Sequence, residues 1–184
     1  MSKTNETRDE SQDESAARRL MWIGLLGGAT IGFSLIFACA TPFVALVAVA
    51  AVNMTRRDAF VVAGVAWLAN QAVGYGLLGY PQTFDSFAWG IAIGAAVALS
   101  LLAAHAAVRR AEGGPVVATG FAFVMAFAVY ELALYAASFG LSSGPEAFSW
   151  STVSYILQVN ALALVALVAV QFLATASGLV RRPA

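Results

Sequence analysis

Charge, sulfur and imidazole are scarce in this chain of 184 residues. Asp, Glu, Lys and Arg together make up 11% of it, there is one Cys and one His, and Lys3 is the sole lysine. Each shortage removes a chemistry. A single Cys forbids an intrachain disulfide, and one Cys with one His cannot assemble a multi-ligand metal cluster. A lone His also excludes a bis-histidine haem. No G-x-x-x-x-G-K-[ST] stretch occurs, so the chain cannot hydrolyse ATP through a P-loop. There is no G-x-S-x-G, and no nucleophile and base fall at a spacing that would bring them together. The chain is therefore not expected to be an enzyme, to carry a cofactor of its own or to bind nucleic acid.

What the chain does have is apolar length. It is 60% hydrophobic with a mean hydropathy of +0.79, far outside the soluble globular range, and its apolar runs exceed the ~20 residues needed to cross a bilayer. An all-α integral membrane protein in the lipid bilayer is expected. Apolar runs cover 20–54, 59–80, 87–108, 115–139 and 150–180. Residues 1–19 hold Lys3, Arg8, Arg18 and Arg19 against Glu6, Asp9, Glu10, Asp13 and Glu14, a composition that reads as a disordered, solvated cytoplasmic tail.

The first run is too long for one comfortable span and short for two. Outside the tail the basic residues come in pairs, Arg56-Arg57, Arg109-Arg110 and Arg181-Arg182, echoing Arg18-Arg19, whereas "YPQTFDS" and "GLSSGPEAFS" hold no Lys or Arg. Short Arg-rich loops stay cytoplasmic. If the run breaks at Thr41-Pro42, all four pairs fall inside and both uncharged loops outside. Pro42 supports the break, because it lacks an N–H and pushes the preceding residue out of the helical region. The expected architecture is thus a six-helix transmembrane bundle over 20–180, both termini cytoplasmic, with 181–184 as a cytoplasmic end. Splitting the run leaves helices of roughly 17 residues or fewer, the second shorter, against a core of ~30 Å. "ACA" at 38–40 also matches a small-x-small cleavage site, and "IFAC" faintly resembles a lipoprotein box. The long acidic stretch before the run and the bulky Phe37 argue for an intact first helix instead.

This topology places most polar side chains toward the outer half. On the third helix Trp67, Asn70, Gln71, Gly74 and Leu78 follow an i, i+3, i+4, i+7, i+11 pattern, with Tyr75 nearby. Ser151, Ser154, Tyr155 and Gln158 repeat it on the sixth, and Asn160 lies opposite them. On the fifth, Phe127, Glu131 and Tyr135 stack at i, i+4, i+8. An acidic group such as Glu131 deep in a span costs about 2.5–3.5 kcal/mol on insertion scales and calls for a partner. Trp89, Trp150 and Tyr80 read as interfacial belt residues, and His105, four residues before Arg109, as interfacial or packed. The polar stripes could equally be glue between helices.

Small residues mark the inner half. Gly24, Gly28 and Gly32 in "GLLGGATIG" present a smooth face on the first helix, and "GIAIG" repeats the spacing at Gly90 and Gly94. Six helices, a glycine-lined first helix, no ATPase of its own and polar residues gathered toward the outside make the chain resemble the substrate-binding S components of energy-coupling factor (ECF) vitamin transporters. The resemblance implies vitamin uptake across a bacterial inner membrane, with the ligand held near the external face. It also implies that Gly24, Gly28 and Gly32 dock a membrane coupling subunit driven by separate ATPases. Within that family the chain is most similar to the solitary cobalamin-binding members, which ligate the corrinoid cobalt through a cysteine. Cys39 would be that metal ligand, and a thiolate is a soft donor suited to it. Asn70, Gln71, Tyr75, Glu131, Tyr135, Tyr155 and Gln158 would supply polar and stacking contacts. Riboflavin-, thiamine- or biotin-like vitamins are alternative ligands, and a non-transporting accessory subunit is the alternative function.

Overall fold

The computed structural model of the chain describes residues 41–142 and 148–176. Every described secondary-structure element is helical: α1 (Phe43–Asn53), α2 (Arg56–Gly76), α3 (Phe84–Val108), α4 (Gly114–Ser138) and α5 (Trp150–Ala176). The last four are long and apolar enough to cross a membrane. Large apolar side chains such as Leu68, Ile91, Val124, Leu132 and Leu162 are exposed around them, a surface suited to lipid and not to water. These features define a multi-pass membrane protein. The expected first helix and tail, with Gly24, Gly28, Gly32 and Cys39, lie outside the described residues.

A helix starts directly after Thr41-Pro42, since α1 opens on Phe43 with Pro42 as its cap residue; what precedes Thr41 lies outside the described residues. Its length departs from a span. At eleven residues and ~1.5 Å per residue it is about 16 Å long, half the hydrocarbon thickness. It stops there because Met54 turns extended and Thr55 begins the next helix, accepting the Asp58 amide as an N-cap. The run 43–51 is buried on every side, as suits a helix apolar all round. It sits at the centre of the bundle and packs against all four long helices.

Around this short axis α3 and α4 share the most extensive interface. Both bury small residues at four-residue spacing, Ala96, Ser100 and Ala104 on one helix and Ala118, Ala122 and Ala126 on the other, which lets backbones approach closely. Thr83 caps α3 by accepting the Ser86 amide, so the helix starts three residues before the expected Phe87. The turn from α3 into α4 needs glycine, because Gly113 and Gly114 hold φ of 113° and 89°.

Alternation of direction sends Arg56-Arg57 and Arg109-Arg110 to one end. The connections after α2 and α4 lie at the other, where Asp85 Oδ1 accepts from the Ser142 amide at 3.1 Å and its hydroxyl at 2.9 Å.

Two amide locks tie α1 to α5. At its N-terminus the Val44 and Ala45 amides, orphaned as first-turn donors are, donate to Asn160 Oδ1 at 3.1 and 3.2 Å. Pro42 has no side chain able to cap them. Asn160 Nδ2 donates in turn to the Ile156 carbonyl at 3.0 Å, so a fully buried carboxamide is satisfied on both sides. At the other end Asn53 Nδ2 donates to Gln171 Oε1 at 3.2 Å, and Gln171 Nε2 donates back to Asn53 Oδ1.

Candidate ligand cavity

The α2 stripe and the N-terminal part of α3 build the polar end of the bundle. Trp67, Asn70, Gln71 and Gly74 do share a face, and α3 presents its two glycines to it. Trp67 Nε1 donates to the Gly90 carbonyl at 2.8 Å, and a Cβ at Gly94 would meet the Trp67 indole at 2.8 Å. A Cβ on Gly90 would collide with Gln71 Oε1, and one on Gly74 with the Tyr80 ring. The "GIAIG" spacing therefore serves to admit an indole and a carboxamide from α2. Leu78, expected on the same stripe, falls past the helix end at Gly76.

Beside this contact lies a cavity of about 340 Å³ lined by residues of α1 to α5, including Asn70, Gln71, Tyr75, Trp89 and Tyr130. Thr41, just before α1, also lines it and donates its hydroxyl to Asn70 Oδ1 at 2.6 Å. Tyr75 is held from three directions: its hydroxyl is 3.0 Å from Ser86 Oγ, its ring stacks on Phe87 with centroids 4.8 Å apart, and Tyr80 meets it edge-on at 5.9 Å. Such a ring is fixed in place before any ligand arrives. The Trp89 indole N–H is buried with no hydrogen-bond partner, a donor on the cavity wall that an acceptor would satisfy.

Of the residues expected to form a site, the structure brings Asn70, Gln71 and Tyr75 together on this lining. The other four described ones do not join them. Glu131 follows the lining Tyr130, and both its carboxyl oxygens are buried without a partner. The Tyr135 ring packs edge-on against Phe139 and Phe148. Tyr155 is 51% exposed and Gln158 is exposed; α5 instead offers Ile156 to the cavity. The reason is rotational: α5 buries Val159, Asn160, Ala163 and Leu167, which turns the Tyr155 and Gln158 face away from α1.

Residues the sequence did not assign to the site complete the wall. Trp89 and Tyr80, expected as belt residues, stand on the lining. Adjacency to Gly90 was the signal for Trp89. Trp150 is 84% exposed. Among the described residues no group of His, Cys, Asp and Glu could hold a metal ion.

Fold and site together define a multi-pass helical membrane protein with a mixed cavity, apolar for the most part but carrying Thr41, Asn70, Gln71, Tyr75 and Trp89, at the end away from Arg56-Arg57 and Arg109-Arg110. Comparison of the chain with protein families, curated proteins and solved structures finds no match.

Proposed function

We propose that the chain is a membrane-embedded substrate-binding component for vitamin uptake, similar to the S components of ECF transporters, acting by binding and not by catalysis. In this reading residues 20–40 form a first membrane-crossing helix, giving six helices in all with α1 short and internal. Both termini are cytoplasmic, and the membrane is a bacterial inner membrane. The observation that carries the reading is the cavity bordered by Thr41, Asn70, Gln71, Tyr75 and Trp89, at the end where the connecting loops hold no Lys or Arg. By the charge rule that end is external, so the cavity is placed to take a solute from outside.

A corrinoid is the leading ligand because of chain connectivity. Consecutive Cα atoms are ~3.8 Å apart, so Cys39 has its Cα within about 8 Å of that of Thr41, a cavity residue. A soft thiolate at the mouth would serve as axial ligand to cobalt. The volume bears on how such a ligand sits. About 340 Å³ is at the small end of the ~300–1,000 Å³ range of small-molecule sites. A corrinoid is larger and would lie across the mouth with one part inserted, whereas a riboflavin-, thiamine- or biotin-like vitamin would be enclosed. Gly24, Gly28 and Gly32 would face a coupling subunit served by separate ATPases.

The competing reading, a non-transporting accessory subunit, is favoured by one observation: Asn160, Asn53 and Gln171 bond within the bundle. A visible spectrum of the purified protein with added cobalamin separates the two. A shift of the corrinoid bands, abolished by Cys39→Ala and weakened by Asn70→Leu, is expected. If neither cobalamin nor a mixture of smaller vitamins is retained, the scaffold reading replaces this one.

A further inference from the structure

A second cavity, an open groove of about 310 Å³, runs between α2 and α3 toward the arginine end, and its wall is apolar throughout, from Phe60 and Gly64 to Gly94 and Ala98. In a bilayer such a groove has the shape and chemistry for an acyl chain. Helical periodicity carries each of its walls into basic groups. On α2, Arg56 and Arg57 precede Phe60 and Gly64 by four and seven residues, and on α3, His105 and Arg109 follow Ala98 by seven and eleven; all of these spacings keep one face. The two stripes meet at the same level, since His105 lies within electrostatic reach of both Arg56 and Arg109.

None of the charge on these arginines is used inside the molecule. Arg56, Arg57 and Arg109 are exposed, and among the described residues no ionic or hydrogen-bonding partner holds them. His105 Nε2 is buried with no hydrogen-bond partner. Arginine charge at the membrane surface, with a buried imidazole nitrogen beside it and an apolar groove leading away from it along α2 and α3, matches a phosphate with an acyl chain attached.

We infer that the α2/α3 groove is a binding site for an anionic phospholipid, with one acyl chain between Gly64 and Ala98 and the headgroup phosphate on Arg56, Arg109 and His105. The inference goes beyond the vitamin reading and stands without it, because it concerns the opposite end of the bundle. Its consequence is that the arginine end is anchored to a negatively charged leaflet by a built site and not by diffuse attraction alone.

Native mass spectrometry of the full chain in detergent tests it, with dioleoyl phosphatidylglycerol, dioleoyl phosphatidylcholine and glycerol phosphate added separately. Phosphatidylglycerol adducts are expected to survive at activation energies that strip phosphatidylcholine. Arg56→Gln and Arg109→Gln should each reduce retention about fivefold, in line with roughly 1 kcal/mol per basic group near a charged surface. Gly64→Leu should abolish it while leaving the fold intact, because a Cβ there meets nothing within 4 Å and the side chain enters the groove. Equal retention of the two lipids, or indifference to Gly64→Leu, would overturn the assignment. So would binding of glycerol phosphate as strong as that of the lipid, or a dimer lost with Gly64→Leu, which would give the groove to a second copy.

Discussion

Asn160 is the residue on which the interior turns. In the sequence it is one more amide on an apolar helix, set opposite the polar stripe of Ser151, Tyr155 and Gln158. In the fold it is 1% exposed and serves as an N-cap supplied from another helix, taking the Val44 and Ala45 amides on one oxygen. An N-cap normally comes from the residue just before the helix, but Pro42 holds that place and has nothing to offer. Replacing the carboxamide by an isosteric apolar side chain leaves two buried N–H groups without an acceptor, at about 1–3 kcal/mol each before relaxation. Asn160→Leu is therefore expected to lower the thermal unfolding midpoint of the purified protein clearly, whereas Gln158→Leu, at an exposed position, should not. Equal midpoints for the two variants would show that the cap contributes nothing.

Among the elements, α1 is the one whose behaviour a hydropathy reading does not convey. Its start was legible, because proline at residue 42 after a small-residue stretch has a local steric meaning. Its end was legible too, because the apolar run stops at Met54 ahead of Arg56-Arg57; what hydropathy does not convey is that the next helix is capped there by Thr55, which accepts the Asp58 amide, and that 43–51 is buried on every side. The α2 stripe was legible for the opposite reason: Trp67, Asn70, Gln71 and Gly74 are polar or small against an apolar background, so their spacing shows a face. On α5 polar residues occur on two faces, and nothing local says which one meets the core. Burial of Asn160 and exposure of Tyr155 are decided by α1, more than a hundred residues earlier. Glu131 and Tyr130 are neighbours about 100° apart on α4, so a small error in helix rotation exchanges which of them lines the cavity. The two locks on α1 predict a coupling between helices. A double-mutant cycle of Asn53→Ala and Gln171→Ala is expected to return about 0.6 kcal/mol, the usual size for a hydrogen bond between membrane helices. Strict additivity would mean that the C-terminal lock is not formed in solution.

At the scale of the whole molecule the account rests on sidedness. Among the described residues Arg56-Arg57, Arg109-Arg110, the apolar groove and the unpartnered imidazole lie toward one end; the Tyr75 ring, the Trp89 N–H and the Thr41–Asn70 bond lie at the other. These arginine pairs and the cavity with its polar groups thus stand at opposite ends of the described bundle, the arrangement on which the proposed uptake from the second side depends. The chain's lone thiol reports on this arrangement without any substitution. In intact cells a membrane-impermeant maleimide should label Cys39, and added cobalamin should slow that labelling. Labelling that requires permeabilised membranes, or that proceeds at the same rate with the corrinoid present, would contradict an external cavity closed by a metal-binding cysteine.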